Sequence, residues 1–565
     1  MPQRLGGMEA GLMVRDTVSP IETGGMWKRS DSAAVAVLVL LGFALRMPLL
    51  SRGLWRDEGS TYFDVAGTLA QVWSNVAAHE WTPPLYFIFE HGWIKIAGTS
   101  EAALRLPSLA FSLMTIVVIY GVGLASRARL VAAIAALFAA TSPLAVSLGA
   151  EARAYALEML LAVCALYAFL CIERARTPRK RRLFALALVL AATLLVFTHF
   201  TGYVVLAAFT LAAFVRLFYR RDDAGRLLAI ATSISLFITL PLAGLFLHDV
   251  SQQLTWQDAH ERLLPLIDEQ LGVFGPFGAM IVQVDRAIEI GVVIWAVALA
   301  RSRALGAMAP TAALLAFVVV SGIAVSVARG LPGDRHLAVY APFAWLLFAM
   351  VLNAFVGWLR LPKPSHVGAI MRVMATLPVA YVIVGGLAVY PRAYRQIREP
   401  MSGAAALTAA LRRFTHEPVL LVACPDYLGP SLTYYTRGSG DEVRGVVTWK
   451  RPWFYSVDPA PWEERGAIGR LLVRIERNAR RRHALIALAV DWSIPTYNGM
   501  DFAIAHALAR REISSHRVLW RRQFRGSQEP IDLIVLSRTA RPAPLAPPSA
   551  ANRVGRRRGS VTMRD

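Results

Sequence analysis

A series of long apolar runs constrains this chain more than any other feature. Residues 33–50 and 106–125, for example, extend for 18 or more positions with at most one charge. A run of that length satisfies its own backbone in lipid only by closing into a helix. Further runs fall at 130–148, 154–172, 183–198, 202–219, 228–247, 287–300, 308–328, 336–357 and 369–390, which makes about eleven expected spans. Of the 565 residues 56% are hydrophobic and 17% charged, a balance too apolar for a soluble protein. The expected class is a polytopic α-helical membrane protein. The net charge of +22 would suit a nucleic-acid binder, but the basic residues gather in short loops between spans and near the C-terminus. There they act as topology signals, so the expected partner is the lipid bilayer and not nucleic acid.

Those signals give an orientation. With the N-terminus in the cytoplasm, the inner loops hold Arg127 and Arg129, the cluster Arg174 to Arg182, Arg220, Arg221 and Arg226, Arg301 and Arg303, and Arg360 and Lys363. The intervening turns near 149–153, 199–202 and 330–335 carry few basic residues, as the positive-inside rule requires. No small-x-small cleavage pattern follows the first run, so it is read as an uncleaved span of an inner or plasma membrane protein. The expected organisation is a disordered cytoplasmic segment over 1–31 and a transmembrane catalytic region over 32–390. Two large outer loops interrupt that region, at 51–103 and 248–286. The first holds short surface helices; the second reads equally as an interfacial helix with a hinge or as a connector.

From about 395 the pattern changes. Apolar strands at 418–424, 484–490 and 531–536 alternate with helical stretches at 403–414, 463–480 and 499–511. This predicts an extracytoplasmic α/β domain over 391–539 with a mostly parallel sheet. No glycine-rich phosphate loop follows the strands, which argues against a nucleotide site. Residues 540–565 are Pro/Ala-rich and basic, a flexible tail. The three cysteines make no disulfide framework: Cys164 and Cys171 share one helix face, and Cys424 stands alone.

Polar residues collect at the outer ends of the spans. Trp55-Arg56-Asp57-Glu58 follows the first span, and His79-Glu80-Trp81-Thr82-Pro83-Pro84-Leu85-Tyr86 lies further along the same loop. Arg105 opens the second span, Glu151-Ala152-Arg153-Ala154-Tyr155 lies between the third and fourth, His199 marks a tight turn, and Asp334-Arg335-His336 opens the tenth. Each has an ordinary reading as a cap or an interfacial side chain; together they put carboxylates, arginines and histidines on one face. Arginines at that depth bind phosphate bidentately, and a lipid supplies it. A nearby carboxylate serves as general base towards an acceptor hydroxyl. A sugar carried on a lipid phosphate meets both demands.

The order of these motifs resembles the GT-C-type integral-membrane glycosyltransferases, specifically glycosyltransferase family 39, which includes protein O-mannosyltransferases and lipid A aminoarabinose transferases. The resemblance covers roughly residues 33–360 and rests on the acidic pair Asp57-Glu58, the His-Glu-x-Thr-Pro-Pro-Leu-Tyr run, Ser147 to Tyr155, His199 and Arg335-His336. It implies Asp57 as catalytic base with Glu58 as its support, and Arg153 and Arg335 at the donor phosphate, helped by Tyr155 and His336. Glu151 and His199 join this substrate-binding set. Arg105 is either a substrate contact or a structural partner for a carboxylate. The implied activity is transfer of mannose or a related hexose or pentose from a polyprenyl-phosphate donor to an extracytoplasmic lipid, glycan or protein. No cofactor is required; His79 and Glu80 either help to close the site or, with Glu90 and His91, hold a divalent metal. The rival readings are a transporter or lipid flippase and a non-enzymatic envelope-assembly protein. The first lacks an internal repeat and broken helices in matching halves; the second leaves the outer-face charges without a role.

Overall fold

The computed structural model describes residues 27–80, 82–245, 308–328, 333–359, 391–446, 467–493 and 503–540, with a few isolated positions between them. The expected span at 287–300, the loop at 248–286, nearly all of the span at 369–390, the N-terminal 26 residues and the tail from 541 lie outside the described residues.

Among the described residues, eight helices are long and apolar enough to cross a membrane. They include α1 (Arg29–Arg46), α5 (Glu101–Ala125), α8 (Tyr155–Arg174), α9 (Pro178–Thr198), α10 (Gly202–Arg220), α11 (Asp223–Thr239), α12 (Ala309–Ala328) and α14 (Ala341–Leu359). α8 is the innermost, packing on α5 and α9, and nearly all of its apolar window is buried. Local chemistry sets the helix starts. Ser100 accepts from Ala103 N–H to begin α5, Thr177 accepts from Lys180 N–H ahead of Pro178 in α9, and Asp222 accepts from Gly225 N–H in α11.

The expected span at 130–148 is broken. α6 (Arg129–Thr141) stops at Ser142-Pro143 and a short helix, α7 (Pro143–Leu148), follows, because proline cannot supply the N–H that would continue the ladder. The freed carbonyls are taken up by Arg46, which is fully buried. Its guanidinium donates to Ala139 O and Ala140 O at 2.9 Å, to Ala145 O at 3.0 Å and to Gly42 O at 2.9 Å, while Nε donates to Ser112 Oγ at 2.9 Å. A cation at the C-terminal end of α6 also complements its dipole.

The loop over 51–103 folds into α2 (Arg56–Val65), α3 (Leu69–His79) and α4 (Leu85–Ala97). Helix direction alternates through the bundle. The turns carrying Arg127, Arg129, Arg174 to Arg182 and Arg220 to Arg226 therefore all lie at the end opposite to α2, Arg153 and His199.

Among its described residues, the C-terminal region carries a five-stranded sheet in the order β2-β1-β3-β7-β6. Its strands are β1 (Val419–Cys424), β2 (Glu442–Gly445), β3 (Leu485–Val490), β6 (His516–Phe524) and β7 (Ile531–Ala540); β4 (Thr496–Tyr497) and β5 (Met500–Asp501) form a separate small pair. β1 pairs parallel with β2 and β3, but β7 is antiparallel to both β3 and β6. The sheet is thus mixed and not mostly parallel, because β6 and β7 are joined by a hairpin and not by a crossover helix. β1 and β3 are buried on both faces, as their unbroken apolar sequence requires. Helices α15 (Ala404–Phe414) and α16 (Gly429–Thr436) pack on one side, with α17 (Ala467–Arg482) and α18 (Ala503–Ser515) on the other. α16 lies directly against α2, so this sheet unit meets the helix that carries the acidic pair.

Candidate active site

Asp57 and Glu58 occupy the first turn of α2 and point to different partners. Glu58 is fully buried against Arg105 of α5, with Arg105 Nε 2.6 Å from Glu58 Oε1 and Nη2 2.5 Å from Oε2. Ala152 N–H adds a third bond to Glu58 at 2.9 Å. The remaining guanidinium hydrogens of Arg105 go to the carbonyls of Leu50, Arg52 and Gly53. Arg105 was one of the substrate-binding candidates; here it is enclosed and all its donors meet protein acceptors, which is the geometry of the structural alternative.

Asp57 faces a cationic mouth. Arg335, from the short helix α13 (Gly333–His336), donates from Nη1 to Asp57 Oδ2 at 2.6 Å and stacks 4.2 Å over the Trp55 ring. Arg56 Nε lies 3.3 Å from Asp57 Oδ1. Burial pushes the Asp57 carboxyl up, but Arg335, Arg56 and Arg153 outweigh it and hold the group below its ordinary value. Asp57 is therefore an ionised carboxylate at neutral pH, the state that a base requires.

Arg153 is bidentate to Glu80, with Nη1 3.0 Å from Oε1 and Nη2 2.8 Å from Oε2, and it also donates to Thr61 Oγ1 at 3.2 Å. Beside them Asp64 is buried, and burial together with the Glu80 carboxylate holds its carboxyl well above the usual range. Glu151 is buried within electrostatic reach of Arg335, Glu58 and Asp57. Its Oε1 has no hydrogen-bond partner among the described residues, and burial raises the carboxyl to about 7, with Arg335 opposing and Glu58 and Asp57 adding to the rise.

The rings of the set form a second wall. The Tyr155 and His199 ring centroids are 6.1 Å apart, and those of His199 and His336 are 6.3 Å apart. His199 Nδ1 lies 2.7 Å from Thr201 Oγ1, which in turn donates to the buried Glu158. The structure thus brings together Asp57, Glu151, Arg153, Tyr155, His199, Arg335 and His336, residues from four separate stretches. Among the described residues no group of three or more His, Cys, Asp or Glu is arranged to hold a metal ion. Of the proposed metal ligands, Glu80 is engaged by Arg153, and His91 Nδ1 meets Val65 O at 2.7 Å. Glu90 is buried, and that burial pushes its carboxyl to about 8; the His79 side chain lies outside the described residues.

Sequence reasoning missed Trp55, Arg56, Asp64 and Glu158 as parts of the site. Arg56 carried a signal, being adjacent to the acidic pair, as did Asp64, two turns further along the same helix.

Residues 82–243 match the family described as dolichyl-phosphate-mannose-protein mannosyltransferase. No curated protein matches the chain in sequence. Among solved structures, ArnT from Cupriavidus metallidurans in the apo state is 14% identical with a TM-score of 0.51, over 89% of this chain and 98% of that one. The same protein bound to undecaprenyl phosphate gives 14% identity and a TM-score of 0.50, over 89% and 97%. The apo oligosaccharyltransferase of Archaeoglobus fulgidus gives 14% and 0.51, over 89% of this chain and 76% of that one. At such identities the likeness is one of fold. The fold is similar to that of these GT-C-type membrane glycosyltransferases, and residues 82–243 are glycosyltransferase family 39-like.

Proposed function

We propose that the protein is a membrane glycosyltransferase that moves mannose or a related hexose or pentose from a polyprenyl-phosphate donor to an extracytoplasmic lipid, glycan or protein, with Asp57 as general base. The observation that carries this reading is the Asp57 carboxylate, held ionised among three arginines at one end of the helix bundle. In the reaction the acceptor hydroxyl gives its proton to Asp57 as its oxygen bonds to the anomeric carbon. The bond from that carbon to the phosphate oxygen breaks, and its electron pair leaves with the polyprenyl phosphate, which gains a negative charge. Arginine is suited to receive that charge. Arg335 is the best-placed side chain for it, being partly exposed and already on Asp57; Arg153, clamped to Glu80, contributes its field. Glu58 supports Asp57 by anchoring α2 to α5 through Arg105. The structure of ArnT with undecaprenyl phosphate supports a donor of this lipid class.

The donor brings its own leaving group, so the step needs no cofactor. A divalent ion at His79 and Glu80 would have to compete with Arg153 for the Glu80 carboxylate. The arginine-rich turns at the far end of the bundle support a cytoplasmic N-terminus, which puts Asp57 and the C-terminal sheet unit on the outer side. The test is transfer of a labelled sugar from a defined polyprenyl-phosphate donor by purified wild type and Asp57→Asn side by side. Wild type consumes donor; the variant, inserted normally, loses two to four orders of magnitude, the scale for removal of a general base. No consumption by wild type with any donor would turn the reading towards transport or assembly. Equal turnover would keep the enzyme and remove Asp57 as its base.

A further inference from the structure

α2 is the helix that presents Asp57, and its N-terminus is capped from an unusual distance. Its N-cap residue is Trp55, which supplies no side-chain acceptor. The first amide of the helix, Arg56 N–H, instead donates to Glu529 Oε1 at 2.9 Å, a residue 473 positions away in the β6–β7 hairpin. Glu529 is fully buried and held from several sides. Its Oε2 accepts from Ser431 Oγ at 3.0 Å, and its own carbonyl accepts from Gly403 N–H at 3.0 Å. The same junction is close-packed: a Cβ on Gly59 would stand 2.8 Å from the Pro430 carbonyl carbon, so α2 and α16 meet backbone to backbone. Tyr435 OH accepts from Leu54 N–H at 2.7 Å, and the Tyr427 ring lies 5.0 Å beneath the Arg56 guanidinium.

We propose that Glu529 is a positioning residue for glycosyl transfer, by which the C-terminal sheet unit fixes the first turn of α2 and so the place of Asp57 against Arg335. A carboxylate at a helix N-terminus satisfies an orphan amide and complements the helix dipole. Asp57 follows the capped amide by one residue, so slack in this turn moves the base itself. A misplacement of about 1 Å at a reacting group is worth up to roughly a hundredfold in rate. The C-terminal unit is thereby part of the catalytic framework, in addition to any part it takes in acceptor choice. This inference rests on the glycosyltransferase reading above for its kinetic consequence, but not for its structural one.

The experiment compares full-length wild type, Glu529→Ala, Glu529→Gln and Ser431→Ala in two readouts. The first is amide hydrogen exchange over residues 54–62, which does not depend on activity. The second is kcat and donor KM in the labelled-sugar assay. Glu529→Ala is expected to speed exchange in that segment at least tenfold and to lower kcat ten- to a hundredfold, with donor KM within about twofold. Glu529→Gln keeps an acceptor for Arg56 N–H and restores kcat to within about threefold of wild type. Ser431→Ala, which removes one brace and is the milder change should Glu529→Ala fail to fold, lowers kcat by a smaller factor in the same direction. Unchanged exchange, or faster exchange with unchanged kcat, would overturn the proposal. So would a pure rise in donor KM with kcat unchanged, which marks a binding residue instead. Should wild type itself consume no donor, the transfer reading fails, and the exchange data alone decide whether the cap exists.

Discussion

Arg105→Met separates the two roles open to this arginine. The substitution keeps the aliphatic stem and removes the guanidinium from a place with no water contact. Glu58 would retain one bond, from Ala152 N–H, of the three it now accepts from protein donors, and the carbonyls of Leu50, Arg52 and Gly53 would lose their shared donor. Removing one partner of a buried ion pair costs about 3–5 kcal/mol, since the stranded charge keeps its desolvation penalty. The orphaned carbonyls add about 1 kcal/mol each where water does not reach them. Against a total stability of about 5–15 kcal/mol, that is a large fraction. The assay is thermal unfolding of the detergent-solubilised protein, followed as loss of monomer on size exclusion, with donor titration on the fraction still folded. The expected result is a strongly lowered Tm with donor affinity unchanged in the folded fraction. Glu58→Gln/Arg105→Met, which leaves no stranded charge, recovers at least half of the loss. A Tm within a degree of wild type with donor binding weakened tenfold would refute the structural assignment and return Arg105 to the substrate.

Glu151 makes stability depend on pH. Burial raises its folded pKa from 4.5 to about 7, so the folded state binds more protons between those values and stability falls as pH rises through that window, by at most on the order of 3 kcal/mol. Glu151→Gln removes this slope, which Tm measured from pH 4.5 to 8 in both proteins would show; an unchanged slope would place it elsewhere. Gly59→Ala forces a methyl group to within 2.8–2.9 Å of the Pro430 and Ser431 backbone, and overpacking of this kind costs about 1–3 kcal/mol. Its Tm and turnover should fall together; full activity would show that the α2–α16 contact tolerates movement.

The eight membrane-length helices among the described residues were legible because an apolar run of that length has one way to satisfy its backbone in lipid. The end of α6 was not, since Pro143 acts only through the carbonyls it frees, and Arg46, which receives them, lies some ninety residues earlier. β1 and β3 announced themselves as unbroken buried runs, whereas β6, His-Arg-Val-Leu-Trp-Arg-Arg-Gln-Phe, is an edge strand with seven of its nine residues open to solvent in part or whole. Its arginines mask any period-two signal, and without β6 the hairpin that makes the sheet mixed goes unseen. At the site the charges at span ends identified Asp57, Arg153 and Arg335 as a group. Their pairing was not legible: Arg335 and Asp57 are 278 residues apart, and the choice between Glu58 and Asp57 as its partner is made by which side of α2 faces α5.

That pairing has a consequence for the order of events at the site. Arg153 is balanced by Glu80, Arg105 by Glu58 and Arg335 by Asp57, while Asp64 and Glu151 are pushed towards their neutral forms. On the glycosyltransferase reading proposed above, a donor phosphate would gain Arg335 by exchange, displacing the Asp57 carboxylate, and the displaced Oδ2 would become available to the acceptor hydroxyl. Donor binding and release of the base would then be one step. The exchange predicts opposite effects of two variants on donor binding. Arg335→Ala loses a charge-assisted contact worth about 1.5–3 kcal/mol, so donor Kd rises roughly ten- to a hundredfold. Asp57→Asn removes the competitor for the same guanidinium, so it binds donor tighter than wild type, by about tenfold, while transfer falls by roughly two to four orders of magnitude. Equilibrium binding of a non-transferable donor analogue measures both. Weaker binding by Asp57→Asn would mean that the carboxylate itself holds the donor, and the exchange would be wrong even if Asp57 remains the base.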